Sequence, residues 1–191
     1  MKPPPVRDYD SFEREPISEY LRRWPGELRN FPECVIENWV HRHWNDFEQF
    51  WVPLDLEAWT FSQRSLNNDE IMKLGHFDDW FETLDHWGDE LFTNKIRQST
   101  WLGRYMLTNG AIPAPLIVAV NAVGVLHPRG RKGETMKLPT HLLEGHMRLA
   151  YLRGLIRHGH PALQEKHSIW ELRMPNQPLQ PTGLASGSAG G

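Results

Sequence analysis

Thr140-His141-Leu142-Leu143-Glu144-Gly145-His146-Met147-Arg148-Leu149-Ala150-Tyr151-Leu152-Arg153 reads as a short buried strand, a glycine turn and an amphipathic helix. Thr140 to Leu143 make the strand, Gly145 supplies a turn where a side chain would crowd the backbone, and the helix begins near Met147. The first N–H groups of such a helix have no partner within it and face any ligand at its mouth, so the turn has a phosphate-binding architecture. His146 and Arg148 add donors at the same place.

The flanking segments extend this unit. Pro115 to Val120 is a continuous apolar run with the length of a buried strand, and a turn at Asn121 to Gly124 and a basic loop, His127 to Lys137, lead to the strand at Thr140. Thr93 to Leu107 reads as a helix closed by Asn109-Gly110, with Ile96, Trp101, Leu102, Tyr105 and Met106 available to pack. The helix after Gly145 ends near Arg157, where His158-Gly159-His160-Pro161 cannot continue it, and His167 to Arg173 reads as a last edge strand.

The Glu144, Gly145, His146, Arg148 and Ala150 pattern resembles the glycine-histidine-arginine signature of the ParB and sulfiredoxin superfamily. Met106-Leu107-Thr108-Asn109-Gly110 followed by Pro115-Leu116-Ile117-Val118 resembles the element in which a helix of that family ends in Gly and a proline opens a long strand. The resemblance covers roughly residues 93 to 173 and implies an α/β (α+β) fold: a small mixed sheet with a strand, glycine turn and helix core, carrying an α-rich N-terminal elaboration. It implies several functions. Sulfinic acid reduction is excluded, because Gly145 stands where sulfiredoxins carry the catalytic Cys. Chromosome-partition members bind a cytidine nucleotide and carry a helical DNA-binding region downstream, for which the residues after Gly159 are too few. In kinase-like relatives the acidic residue before the glycine, here Glu144, would accept a hydroxyl proton while backbone N–H groups, His146 and Arg148 held phosphate. A nucleotide, with magnesium, is the candidate cofactor. Met147 departs from the family, which often has adjacent basic residues; Arg129, Arg131 and Lys132 of the basic loop are the candidates to restore that charge.

Composition bounds these readings. The chain has 191 residues, 39% hydrophobic and 24% charged, as expected for one globular domain, with Cys34 as its single cysteine. No apolar run approaches the ~18 to 20 residues of a membrane helix and no signal peptide is evident, so the expectation is a cytoplasmic protein without a membrane partner. Residues 1 to 90 hold 9 Lys/Arg against 20 Asp/Glu and residues 91 to 191 hold 12 against 4, so the halves carry −11 and +8. The basic half suits an anionic ligand; equally, the two halves can pack against each other. Nucleic acid is a third candidate partner through a local patch only, as a nuclease or binder.

Residues 1 to 10 are expected to be a flexible arm and 11 to 173 a single domain, of which 11 to 92 is acidic, tryptophan-rich and mostly helical. Helices are expected over Ser11 to Arg23, Pro32 to Trp51, Glu70 to Leu74 and Phe77 to Trp87, with a strand over Leu54 to Phe61 and the acidic side of the Phe77 helix facing water. Residues 174 to 191 read as a disordered tail, and Pro178-Leu179-Gln180-Pro181-Thr182 resembles the read-through ends of proteins encoded in integron gene cassettes, implying a mobile gene. Eight of nine tryptophans precede residue 102. Most belong in a core; Trp44, Trp51, Trp59 and Trp87 are candidates for lining an apolar cavity or an interface, in which case the protein is a non-catalytic binding or assembly module, with a homo-oligomer as a candidate state. His41-Arg42-His43 and His158-Gly159-His160 lack the spacing that sets two imidazoles on one helical face for a metal.

Overall fold

The computed structural model describes residues 1–77, 80–130 and 134–175. Its helices are α1 (Ile17–Arg22), α2 (Glu33–Val35), α3 (Trp44–Phe50), α4 (Asn68–Met72), α5 (Phe81–Thr93), α6 (Lys95–Ser99), α7 (Trp101–Asn109) and α8 (His146–Arg157), and a wider π-helical segment, Ile36–His41, continues α2. Its strands are β1 (Thr60–Asn67), β2 (Leu116–Val120), β3 (Thr140–Glu144) and β4 (Lys166–Arg173), in the order β1-β4-β2-β3. β4 runs parallel to β2, and β1 and β3 run antiparallel to their neighbours. This is the α+β class with a small mixed sheet.

At β2 the sheet is buried on both faces, which explains that strand's unbroken apolar run. Leu116, Val118 and Val120 join Leu142, Ile169 and the inner side of α8 in one core, while Ile117 and Ala119 join Leu143 and Leu172 beneath the N-terminal aromatics. There Trp39 lies 4.9 Å from Trp51 and 6.0 Å from Trp59, and Phe31 stacks on Trp59 at 5.7 Å. Trp44, Trp51 and Trp59 are thus core residues, as is Trp39. Residues of the expected arm lie against this layer: Val6 is buried, and the carbonyls of Pro4 and Pro5 accept bonds from Tyr20 and Arg23.

Several boundaries differ from the sequence reading. The strand expected at Leu54 to Phe61 is a 3-10 turn, Leu56–Ala58, and then β1, an edge strand in which Leu66 is the one fully buried residue; half-buried Phe61 apart, its exposed Thr, Ser, Gln, Arg and Asn side chains give no alternation to read. β4, expected at an edge, lies between β1 and β2. The helix expected from Pro32 to Trp51 widens at Ile36–His41 and breaks at His43, because Trp39, Val40 and His41 are all buried and three consecutive residues cannot share one stripe of a regular helix. The Thr93 to Leu107 helix is two: Thr100 is extended and its Oγ1 accepts from the Gly103 N–H at 2.9 Å, starting α7 afresh. Of the expected packing residues there, Ile96 and Trp101 are exposed.

Gly88 does not end α5, which continues to Thr93. A Cβ on Gly88 would lie 2.4 Å from the Ala150 carbonyl, and one on Gly154 would lie 2.4 Å from the Gly88 carbonyl, so the backbones of α5 and α8 touch at this glycine pair. The acidic side of α5 is not left to water. Asp85 accepts two bonds from Arg153, at 2.7 and 3.0 Å, and also pairs with Arg157, which reaches Asp89 at 2.8 Å. Part of the opposed charge of the two halves is therefore spent in their packing. Asp78 and Asp79 lie outside the described residues, as does the tail apart from Met174 and Pro175; Met174 still packs on the aromatic core.

α4 begins at Asn68, two residues before the expected Glu70. Asn67 Oδ1 accepts from the Glu70 N–H and Glu70 Oε2 accepts from the Asn67 N–H, both at 2.9 Å, a reciprocal cap. Asn67→Ala is expected to cost about 1 kcal/mol of stability in denaturant unfolding. A change below a few tenths would show that β1 and the sheet hold this turn without the cap.

Candidate functional site

β3 ends at Glu144, Gly145 turns the chain and α8 starts at His146. Gly145 has φ +106°, a conformation side chains rarely adopt, and a Cβ there would meet Leu116 Cδ2 at 2.6 Å and the Arg148 guanidinium at 3.2 Å. The turn forms one wall of a cleft of about 570 Å³, a volume suited to a small-molecule ligand. The opposite wall comes from the break in the N-terminal helix, which brings Arg42, His43 and Asp46 to face it, and Trp101 of α7 stands exposed at the rim.

Glu144 is largely buried. Burial alone would push its carboxyl pKa up, but the hydrogen bond from His43, 3.5 Å from Oε1, and the charge of Arg148, whose Nη2 is 3.7 Å away, outweigh burial and hold it below the usual carboxylate range. It is therefore an anion at neutral pH. His146 is half-buried with its pKa lowered, chiefly by burial, so it offers a neutral imidazole.

Arg148 lies beneath the turn. Its Nη1 donates to the carbonyls of Ala114 and Pro115, each at 3.0 Å, and only 10% of its side chain is exposed. The guanidinium is committed to clamping β2's entry and Glu144. Arg129 does fold over from the basic loop: it lines the cleft, pairs with Asp46 at 3.3 Å and lies over the Phe50 ring. Arg131 and Lys132 lie outside the described residues. The structure thus brings Glu144, Gly145, His146, Arg148 and Arg129 to one cleft.

Sequence reasoning missed Arg42, His43 and Asp46. Their presence depends on the helix break at His43, for which the only sequence sign was the crowding of buried types at Trp39 to His41. The alternative metal pairs are otherwise engaged: His41 Nε2 bonds the Glu15 carbonyl at 2.8 Å, and His158 Nε2 bonds Asp89 at 2.9 Å. Among the described residues no three His, Cys, Asp or Glu side chains are grouped to hold a metal ion, and no helix there is long and apolar enough to cross a membrane. Comparison with family models, curated proteins and solved structures gives no significant match.

Proposed function

We propose that the cleft binds a nucleotide or other phosphorylated small molecule at the N-terminus of α8, in a core of ParB and sulfiredoxin type, and that Glu144 serves phosphoryl transfer as proton acceptor. The observation that carries this reading is the single cleft in which an ionised carboxylate, the unpaired N–H groups of a helix start, two arginines at the rim and an exposed Trp101 converge. The phosphates would lie along the His146 and Met147 backbone, with Arg42 and Arg129 supplying positive charge and Trp101 a flat surface for a base. A hydroxyl proton taken by Glu144 would be released to solvent through the open cleft, which His43 borders. Magnesium would enter on the phosphates, since the cleft offers isolated carboxylates rather than a protein-made cage.

The test is calorimetry with nucleoside di- and triphosphates, with and without magnesium, on the protein and on Arg42→Ala/Arg129→Ala. Binding is expected in the parent and to weaken at least about tenfold in the double variant, the loss of two charge-assisted contacts. Absence of binding at millimolar nucleotide would end this reading. A second reading, a non-catalytic interaction module, is favoured by the neighbouring exposed Ile96 and Trp101 on α6 and α7. Light scattering distinguishes it: a dimer that dissociates in Ile96→Lys would support it.

A further inference from the structure

A second cavity, of about 300 Å³, lies behind the cleft and shares Arg129, His146 and Met147 with it. Its other walls include His76, His127, Phe77, Trp80 and Trp87. Three chain segments meet there. Gly75 bridges to His141 of β3, and the Leu142 N–H donates to the Gly75 carbonyl at 2.9 Å, which sets His76 beside His141 at 5.7 Å between rings. The loop after β2 turns back through the Leu126–Thr135 bridge and brings His127 to within 5.0 Å of the His141 ring. The His146 ring is 5.0 Å from that of His76.

Three of these imidazoles are locked in one tautomer by the backbone. Nδ1 of His76 accepts from the Phe77 N–H at 2.7 Å, Nδ1 of His127 from the Arg129 N–H at 3.1 Å, and Nδ1 of His141 from the Lys137 N–H at 3.0 Å. An N–H can donate only to a ring nitrogen that carries a lone pair, so in each neutral ring the proton sits on Nε2. Nε2 of His76 and of His141 are buried without a partner among the described residues. A metal ion would need lone pairs on Nε2, which this tautomer lacks. Burial keeps the three rings uncharged, with pKa values pushed down to about 3 for His76 and His127 and about 4 for His141.

We propose that this cavity is a binding site for a planar, uncharged aromatic molecule carrying a hydrogen-bond acceptor, held by the Nε2–H groups of His76 and His127 and by Trp80, Trp87 and Phe77. On the cavity wall His76 and His127 present Nε2–H donors, so they select an acceptor atom; leaving buried donors unmet costs more than the bond itself gains. Aromatic walls favour a flat ring. Among the described residues the charged lining is one residue of each sign, Arg129 and Glu134. The volume is at the small end of ligand sites, that of a single substituted ring. This inference does not rest on the phosphate reading and stands if nucleotide fails to bind.

Benzamide, flat and neutral with an acceptor carbonyl, is the probe; ethylbenzene, of similar shape without the acceptor, is its control. Saturation-transfer NMR and calorimetry on the whole chain are expected to show benzamide binding at least about tenfold tighter than ethylbenzene, the worth of one good hydrogen bond to a buried donor. His127→Phe, which keeps a ring and removes the donor, is expected to erase that difference. Long-range proton–nitrogen spectra of the unliganded protein should show Nε2–H tautomers for His76, His127 and His141, a readout independent of any variant. Equal binding of the two probes would overturn the proposal. So would no binding together with slowly exchanging water at the cluster, which would make this a hydrated structural cavity.

Discussion

Between pH 7 and pH 5 the protein is expected to lose about 6 kcal/mol of stability, a large part of what a domain of this size has. The loss comes from the buried histidines. Their folded-state pKa values of about 3, 3 and 4 lie below the ~6.5 of an exposed imidazole, so between these limits it is the unfolded chain that takes up protons. Stability is fully present above pH 6.5, declines as pH falls below it and stops declining only near pH 3 to 4. At pH 5 each ring contributes about 2 kcal/mol of that loss. Among the described residues, the basic groups His146, Arg129 and Lys137 face the cluster and oppose protonation of its rings. His41 and His167, also lowered by burial, act in the same direction. The depressed carboxylates Glu15, Asp85 and Asp89 add their own loss only at lower pH, below about 4.5. Urea unfolding at pH 7, 6 and 5 checks this. His127→Phe should reduce the slope between pH 6 and 4 by about one proton, or ~1.4 kcal/mol per pH unit. A free energy unchanged from pH 7 to 5 would mean that the rings titrate as if in water.

This cluster was invisible in the sequence, because His76, His127, His141 and His146 come from three segments whose approach depends on one bridge at Gly75 and one turn after β2. The fold was more legible where burial is symmetrical or a cap is explicit. β2 is apolar on both faces and shows it; Gly110 closes α7 in the left-handed conformation its residue type suggests, and Asn67 caps α4. β1 gives no periodic signal because an edge strand buries almost nothing, and the full length of α5 is hidden because Gly88 reads as a stop when it is a contact. Half of the candidate site was legible in the same sense. Glu144, Gly145 and His146 are adjacent in the chain, and their turn follows from local rules. The facing wall of Arg42, His43 and Asp46 follows from a helix irregularity set by tertiary burial, which no local rule announces.

Arg148→Met is expected to cost about 3–5 kcal/mol without removing a direct ligand contact. The residue type and position suggest a phosphate donor, but the geometry gives the guanidinium other work. It is nearly enclosed, binds the carbonyls of Ala114 and Pro115 and faces Glu144 at 3.7 Å. Removing it leaves two carbonyls short of a donor and a buried carboxylate without its guanidinium neighbour. Glu144 would respond by moving its pKa upward, since burial then meets less opposition. The variant thus alters the ionisation of the proposed proton acceptor as well as the fold. Adding Glu144→Gln to Arg148→Met should recover about 0.5–3 kcal/mol, because the second change removes the charge that the first left exposed to an apolar interior. A double-mutant cycle by denaturant unfolding measures that coupling. If instead Arg148→Met kept full stability and lost nucleotide affinity, the guanidinium would be a ligand donor, and the clamp between β2 and the Glu144 turn would have to be held by the backbone alone.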